Sequence, residues 1–184
     1  DLLQDAIFLQ LQCVMIRPEF VSYAHQYLIE RKAKTLVGTV IDFPKGEAGL
    51  ESKLQQARKA IHDGADELDF VIDYRAFQKG NLKKVEEEVS ACTFLAINQH
   101  KVIKWIIETA ALTDQQIVTI CSFIKRIVIK NFKETDFQNI YIKSSTGYYH
   151  TNDESPNGAN IQHIILMLEN AAPLPIKASG GITN

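Results

Sequence analysis

The sequence predicts an α/β fold: a (β/α)8 barrel whose terminal βα units are missing or unobserved. Three observations point there. Short β-rich apolar runs alternate with amphipathic stretches, the pattern of an open doubly wound sheet or a barrel. The runs are apolar on both faces, as parallel strands covered on both sides require. No Gly-x-Gly-x-x-Gly or Walker sequence follows a strand, and residues suited to chemistry end several different strands, which favours the barrel.

Leu11–Ile16 is the first strand candidate, and Pro18 suits the first turn of a helix running to Lys34. A second strand, Leu36–Phe43, precedes a helix at Leu50–Asp63, closed by Gly64 as a residue just past a helix end. Glu67–Ile72 is the third strand, followed by a helix at Lys83–Asn98. The fourth strand, Val102–Glu108, leads to Thr113-Asp114-Gln115-Gln116, a capping box opening a helix to Lys130. After a polar, irregular stretch at Phe132–Asn139 come the strand Ile140–Ser144, a helix at Ala159–Asn170 and the strand Pro175–Ala178. A complete barrel runs to about 250 residues. With 184 residues and these six strands, one further unit is expected before Leu11 and one after Gly181. Nothing marks a linker, so residues 1–184 are expected to form one domain.

Bulk properties narrow the function. The chain is 46% hydrophobic and 23% charged, an ordinary globular balance. A net charge of -2 supplies no basic field for nucleic acid or anionic lipid, so any phosphate contact must be local. No apolar run is long enough to span a bilayer. The start at Asp1 carries neither a signal peptide nor an initiator Met, so trimmed or unobserved ends and a cytoplasmic location are expected. Cys13, Cys92 and Cys121 lack metal-site spacing and read as reduced thiols. His25, His62, His100, His150 and His163 are scattered, with no ligand set among them, so no metal is expected.

Chemistry concentrates at two strand ends. Lys143 lies in Tyr141-Ile142-Lys143-Ser144-Ser145-Thr146-Gly147, and Lys177 in Ile176-Lys177-Ala178-Ser179-Gly180-Gly181. A lysine inside an apolar strand is costly unless its charge is used or removed. Snorkelling to water would explain one such lysine, but two in equivalent contexts suggest an amine that attacks a carbonyl beside a second positive charge. Making a lysine neutral near pH 7 takes a shift of ~3.4 units, or ~4.6 kcal/mol. A second ammonium at ~4 Å supplies up to ~4 kcal/mol at an effective dielectric of ~20, with desolvation adding the rest. Neighbouring parallel strands, ~4.8 Å apart, permit that approach. Spacing alone leaves open which lysine is the nucleophile.

Asp69, inside Glu67-Leu68-Asp69-Phe70-Val71-Ile72, is an acid within an apolar strand and needs a partner. It reads as a proton relay to the lysines or as a salt bridge inside the barrel. Glu67 shares its face, while Asp66 and Leu68 point the other way. Glu108, at a strand end, either orients a lysine or holds a loop. Thr146 and Gly147 turn the chain after Lys143. Gly147, Gly180 and Gly181 offer bare backbone N–H groups of a kind that binds phosphate. Tyr148-Tyr149-His150 reads as loop packing.

These segments resemble the deoxyribose-phosphate aldolase family. Thr39-Val40-Ile41-Asp42-Phe43-Pro44-Lys45-Gly46, Gly64-Ala65-Asp66-Glu67-Leu68-Asp69 and Ile106-Ile107-Glu108-Thr109-Ala110-Ala111-Leu112-Thr113-Asp114 resemble the family's third, fourth and fifth strand segments, and the lysine segments its sixth and seventh. The resemblance implies a barrel that reversibly cleaves 2-deoxy-D-ribose 5-phosphate to acetaldehyde and D-glyceraldehyde 3-phosphate in deoxynucleoside catabolism. It makes Lys143 the Schiff-base lysine, Lys177 the lysine that depresses its pKa and Asp69 the acid of the relay. Backbone near Thr146, Gly147, Gly180 and Gly181 would face the phosphate. No cofactor is implied, and the partners are a small sugar phosphate and an aldehyde, with a homodimer common in the family. Three departures stand out: Thr183 where the family has Arg, Met15 where it often has Cys, and Ser144 for Thr. The competing readings are another Schiff-base aldolase of the same fold, against which the paired lysine motifs argue, and a non-catalytic sugar-phosphate-binding barrel.

Overall fold

Six parallel strands pair in sequence order, β1 to β6, in a computed structural model that describes residues 1–151 and 157–182. Helix α1 (Leu2–Phe8) precedes β1 (Cys13–Ile16), and a short 3-10 turn at Pro18–Phe20 leads into α2 (Val21–Glu30). Then follow β2 (Leu36–Ile41), α3 (Leu50–His62), β3 (Glu67–Val71), α4 (Tyr74–Gln78) and α5 (Leu82–Asn98). β4 (Val102–Ile106), a 3-10 turn at Thr109–Ala111 and α6 (Asp114–Asn131) come next. Another 3-10 turn at Glu134–Asn139, then β5 (Ile140–Lys143), α7 (Ile161–Ala171) and β6 (Ile176–Lys177) complete the described chain.

Local chemistry accounts for most boundaries. Thr113 forms its capping box: its hydroxyl accepts from the Gln116 N–H at 3.3 Å, and the Gln116 side chain accepts from the Thr113 N–H at 3.0 Å. Gly64 takes φ +103°, and a Cβ there would sit 2.3 Å from the His25 ring. β2 and β4 stop short of the expected Phe43 and Glu108, because Asp42 (φ 54°) and Glu108 (φ 58°) turn left-handed and leave the ladder. The sequence reading missed α1 and α4. Their aspartate caps were the available signal: the Asp73 carboxylate accepts from the Ala76 N–H at 2.8 Å, and Asp1 accepts from Leu3.

Register sorts the side chains into two faces. Leu68, Phe70 and Trp105 point outward to the helices, where the Phe70 and Trp105 rings lie 5.2 Å apart and the Trp105 N–H donates to the Thr93 hydroxyl of α5 at 3.0 Å. The concave face carries three rows: Met15–Gly38–Glu67–Val102, then Val40–Asp69–Lys104–Tyr141, then Val71–Ile106–Lys143–Lys177. The sheet is curled. β1 and β5 are four strands apart, about 19 Å if flat, yet Met15, Ile16 and Lys143 line one cavity. The structure is thus a parallel half-barrel of six strands, with helices on its convex side. Among the described residues, no helix is long and apolar enough to cross a membrane.

Phe70 of β3 is fully buried beside Trp105 of β4. Phe70→Ala is expected to cost about 3–5 kcal/mol of stability, read by urea unfolding; a loss under about 1 kcal/mol would contradict this core assignment.

Candidate functional site

The concave rows bring the expected charges together and add one the sequence reading overlooked. Lys143, at the C-terminal end of β5, donates to Asp69 Oδ2 at 2.7 Å. Lys104 of β4 donates to Asp69 Oδ1 at 2.6 Å and to Glu67 Oε2 at 2.5 Å. The result is a ladder of alternating sign, Glu67–Lys104–Asp69–Lys143, with Asp69 fully buried at its centre. Asp69 is a shared acceptor because it sits beside Lys104 in its own row and one row below Lys143 on the next strand but one. Burial works against the Lys104 ammonium, but Asp69 and Glu67 outweigh it and raise its pKa above the ordinary 10.5. The signal for Lys104 was present: it stands alone in Val102-Ile103-Lys104-Trp105-Ile106, as Asp69 does in its strand.

Lys177 pairs in register with Lys143 across β5 and β6, so the two side chains leave the sheet on the same face. Lys143 is buried and Lys177 half-buried.

Glu108 holds a loop. Its buried carboxylate accepts from the Thr146 hydroxyl and, at 3.4 Å through both oxygens, from the Thr146 N–H. Burial pushes this carboxyl above its usual range, against the opposing pull of Thr146. Thr146 is thereby fixed three residues beyond Lys143.

Hydroxyls tie the strand ends just beyond the lysines. Ser144 Oγ accepts from the Ser179 N–H at 2.9 Å, Ser179 Oγ donates to the Ser145 carbonyl at 2.6 Å, and the Thr109 and Ser145 hydroxyls lie 2.9 Å apart. Above them Gly147 and Gly180, both at positive φ, meet backbone to backbone: a Cβ on Gly180 would lie 3.2 Å from Gly147 Cα and 3.0 Å from Gly158 Cα. Gly158 was not singled out from sequence, having no strand or motif beside it. Gly181 lies alongside, its added Cβ meeting nothing within 4 Å. Thr183 lies outside the described residues.

A cavity of about 590 Å³ opens onto Lys143 and Thr146, walled by Met15, Phe43, Pro44 and Tyr148. Tyr148 packs edge-on against Phe43 at 5.1 Å and Tyr149 against Tyr74 at 6.3 Å, so these rings act as loop packing. A larger groove of about 820 Å³ lies on the outer face between α3 and α5, beside Phe94, remote from the lysines. Among the described residues, no three His, Cys, Asp or Glu side chains are placed to hold a metal ion.

The arrangement offers an amine hydrogen-bonded to a carboxylate, a second amine on the same face, and glycine backbone at Gly147, Gly180 and Gly181 nearby. That set suits carbonyl addition by an amine, proton exchange at its nitrogen and capture of an anion.

Lys104 is held charged, so its contribution to stability is full below about 10.4 and fades as pH rises through its higher folded-state pKa. Lys104→Met leaves Glu67 without its cation and Asp69 with Lys143 alone, and about 3–5 kcal/mol should be lost at pH 7. Urea titrations from pH 7 upward check both points; an equally stable variant would mean that the ladder does not need its central cation.

No protein-family model matches the sequence. The chain is 33% identical over 183 residues to the deoxyribose-phosphate aldolase of Caldicellulosiruptor saccharolyticus, covering 98% of this chain and 75% of that one. It is 37% identical over 172 residues to the enzyme of that name from Lactococcus lactis, covering 93% and 69%. Among solved structures it is similar to a candidate deoxyribose-phosphate aldolase of Coccidioides immitis, with a TM-score of 0.81, 28% identity, and coverage of 98% of this chain and 65% of that one. It is also similar to the tetrameric deoxyribose phosphate aldolase of Aeropyrum pernix, with a TM-score of 0.78, 26% identity, and coverage of 98% and 68%.

Proposed function

The chain belongs to the deoxyribose-phosphate aldolase family, and from that premise we propose that it is a class I aldolase working through an imine on Lys143. The reaction is the reversible cleavage of 2-deoxy-D-ribose 5-phosphate to acetaldehyde and D-glyceraldehyde 3-phosphate, within deoxynucleoside catabolism in the cytoplasm. The observation that carries this reading is the 2.7 Å contact between Lys143 Nζ and Asp69, with Lys177 in register beside it.

Asp69 takes a proton from Lys143 and leaves a neutral amine, which adds to the C1 aldehyde; Asp69 then returns that proton to the departing hydroxyl as water is lost, and is a carboxylate again. The protonated imine draws electrons from the C2–C3 bond. Removal of the C3 hydroxyl proton by Asp69, through a water, breaks that bond and frees glyceraldehyde 3-phosphate. The enamine is then protonated at carbon and hydrolysed, which restores the amine. Lys177 supplies a second amine on the same face, in register with Lys143. Glu67, through Lys104, holds Asp69 in place. Backbone N–H groups at Gly147, Gly180 and Gly181 receive the phosphate, at the end of the loop that Glu108 fixes through Thr146. The protein's own groups suffice for each step, and no cofactor is called for.

The chain spans about two thirds to three quarters of the length of the proteins it matches. We read its half-barrel as the greater part of a single (β/α)8 domain, closed in the whole protein by further units and assembled as a homodimer.

The test is borohydride trapping with acetaldehyde, read by peptide mass spectrometry: a reduced adduct is expected on the Lys143 peptide and is lost in Lys143→Ala. Trapping at another lysine, or activity retained in that variant, would remove Lys143 as the nucleophile. Lys177→Leu, which removes the second amine from that face, should lower kcat with the fold intact; an unchanged kcat would remove Lys177 from the reaction.

A further inference from the structure

Away from the charge ladder, the proposed reaction leaves a second buried ion pair unused. Lys53 of α3 is fully buried, and its Nζ donates to Glu88 Oε1 of α5 at 2.7 Å, to the Val71 carbonyl of β3 at 2.7 Å and to the Gly46 carbonyl at 3.0 Å. It also lies 3.5 Å from Asp42 Oδ2. Asp42 and Gly46 bracket the tract Phe43-Pro44-Lys45, so Lys53 grips the β2–α3 loop on both sides of that tract. Asp42 is held again by its neighbours: its N–H donates to Gln56 Oε1 at 2.8 Å, and its carboxylate accepts from the Ala48 N–H at 2.8 Å. Phe43 and Pro44 wall the Lys143 cavity, and the Phe43 ring rests on Tyr148 of the loop beyond Lys143.

A pair kept for stability alone would have each buried polar atom satisfied. Here Glu88 Oε2 is buried with no hydrogen-bond partner among the described residues. Apolar residues of similar volume often replace buried ion pairs at no loss of stability. What they could not replace is the set of donors that fixes Gly46 and Val71.

We propose that Lys53, held by Glu88, is a positioning residue that sets the Phe43–Pro44 wall of the Lys143 cavity and so limits the size of aldehyde reacting there. The proposal rests on Lys143 being the imine-forming lysine. A small aldehyde fits between Lys143 and the fixed wall, whereas a longer one requires the wall to retreat.

The experiment compares the wild-type protein with the double variant Lys53→Met/Glu88→Leu, which removes both charges together and orphans neither. Acetaldehyde and propanal compete for borohydride trapping at Lys143, and KM and kcat are measured with 2-deoxy-D-ribose 5-phosphate. The propanal-to-acetaldehyde adduct ratio is expected to rise by about tenfold, with KM rising more than kcat falls, in line with the effect of misplacing groups remote from the chemistry. A thermal melt reports on the fold, since lost stability alone would not change the adduct ratio. Should the double variant fail to fold, Glu88→Gln, which keeps the shape and removes only the charge, must move the ratio the same way. If acetaldehyde labels Lys143 in the wild type but the ratio stays unchanged in the folded variant, the positioning role is overturned. If the wild type gives no adduct at Lys143, the imine reading itself has failed.

Discussion

Asp69 is shared by two lysines inside a curled sheet, and the site is organised around that contact. A lone carboxylate there would carry a desolvation penalty of several kcal/mol after relaxation. Lys104 and Lys143 offset it from two directions, at 2.6 and 2.7 Å, and Glu67 in turn neutralises Lys104. The consequence is a carboxylate held between two amines, one oxygen to each. Lys143, the ladder's outer end, is the member that opens to the cavity where a substrate would arrive.

Curvature makes this geometry available. Each concave row takes one residue from each of four neighbouring strands, so side chains far apart in sequence meet across the bowl while their neighbours point outward. Phe70 and Trp105 pack against helices between the charged positions Asp69, Lys104 and Lys143. One face supplies apolar burial and the other supplies chemistry, with alternation along the strand separating them.

Loops beyond the strand ends are held by specific polar contacts. Glu108 anchors Thr146, serine hydroxyls join β5 to β6, and Lys53 grips the β2–α3 loop. These contacts bring the walls of the cavity up to the fixed lysines. Glycines at 147, 158 and 180 allow three loop segments to touch backbone to backbone; a Cβ at Gly158 would lie 2.2 Å from the Gly180 carbonyl oxygen.

Sequence alone determined the alternation of strands and helices and the parallel sheet, and it singled out Lys143, Lys177 and Asp69 as candidates. Those features are local: apolar periodicity, capping residues and charges set within apolar runs are written into a few adjacent positions. Only the tertiary structure decided who partners whom. Lys104 carried the same signal as Asp69, but its place in the ladder depends on the register of β3 with β4. Whether Glu108 orients a lysine or holds a loop depended on where Thr146 comes to lie. The role of Lys53 was hidden because an amphipathic helix routinely carries lysines, and only the packing of α3 against α5 turns this one inward. Contacts across strands and between helices are set by register and curvature, which no short stretch of sequence encodes.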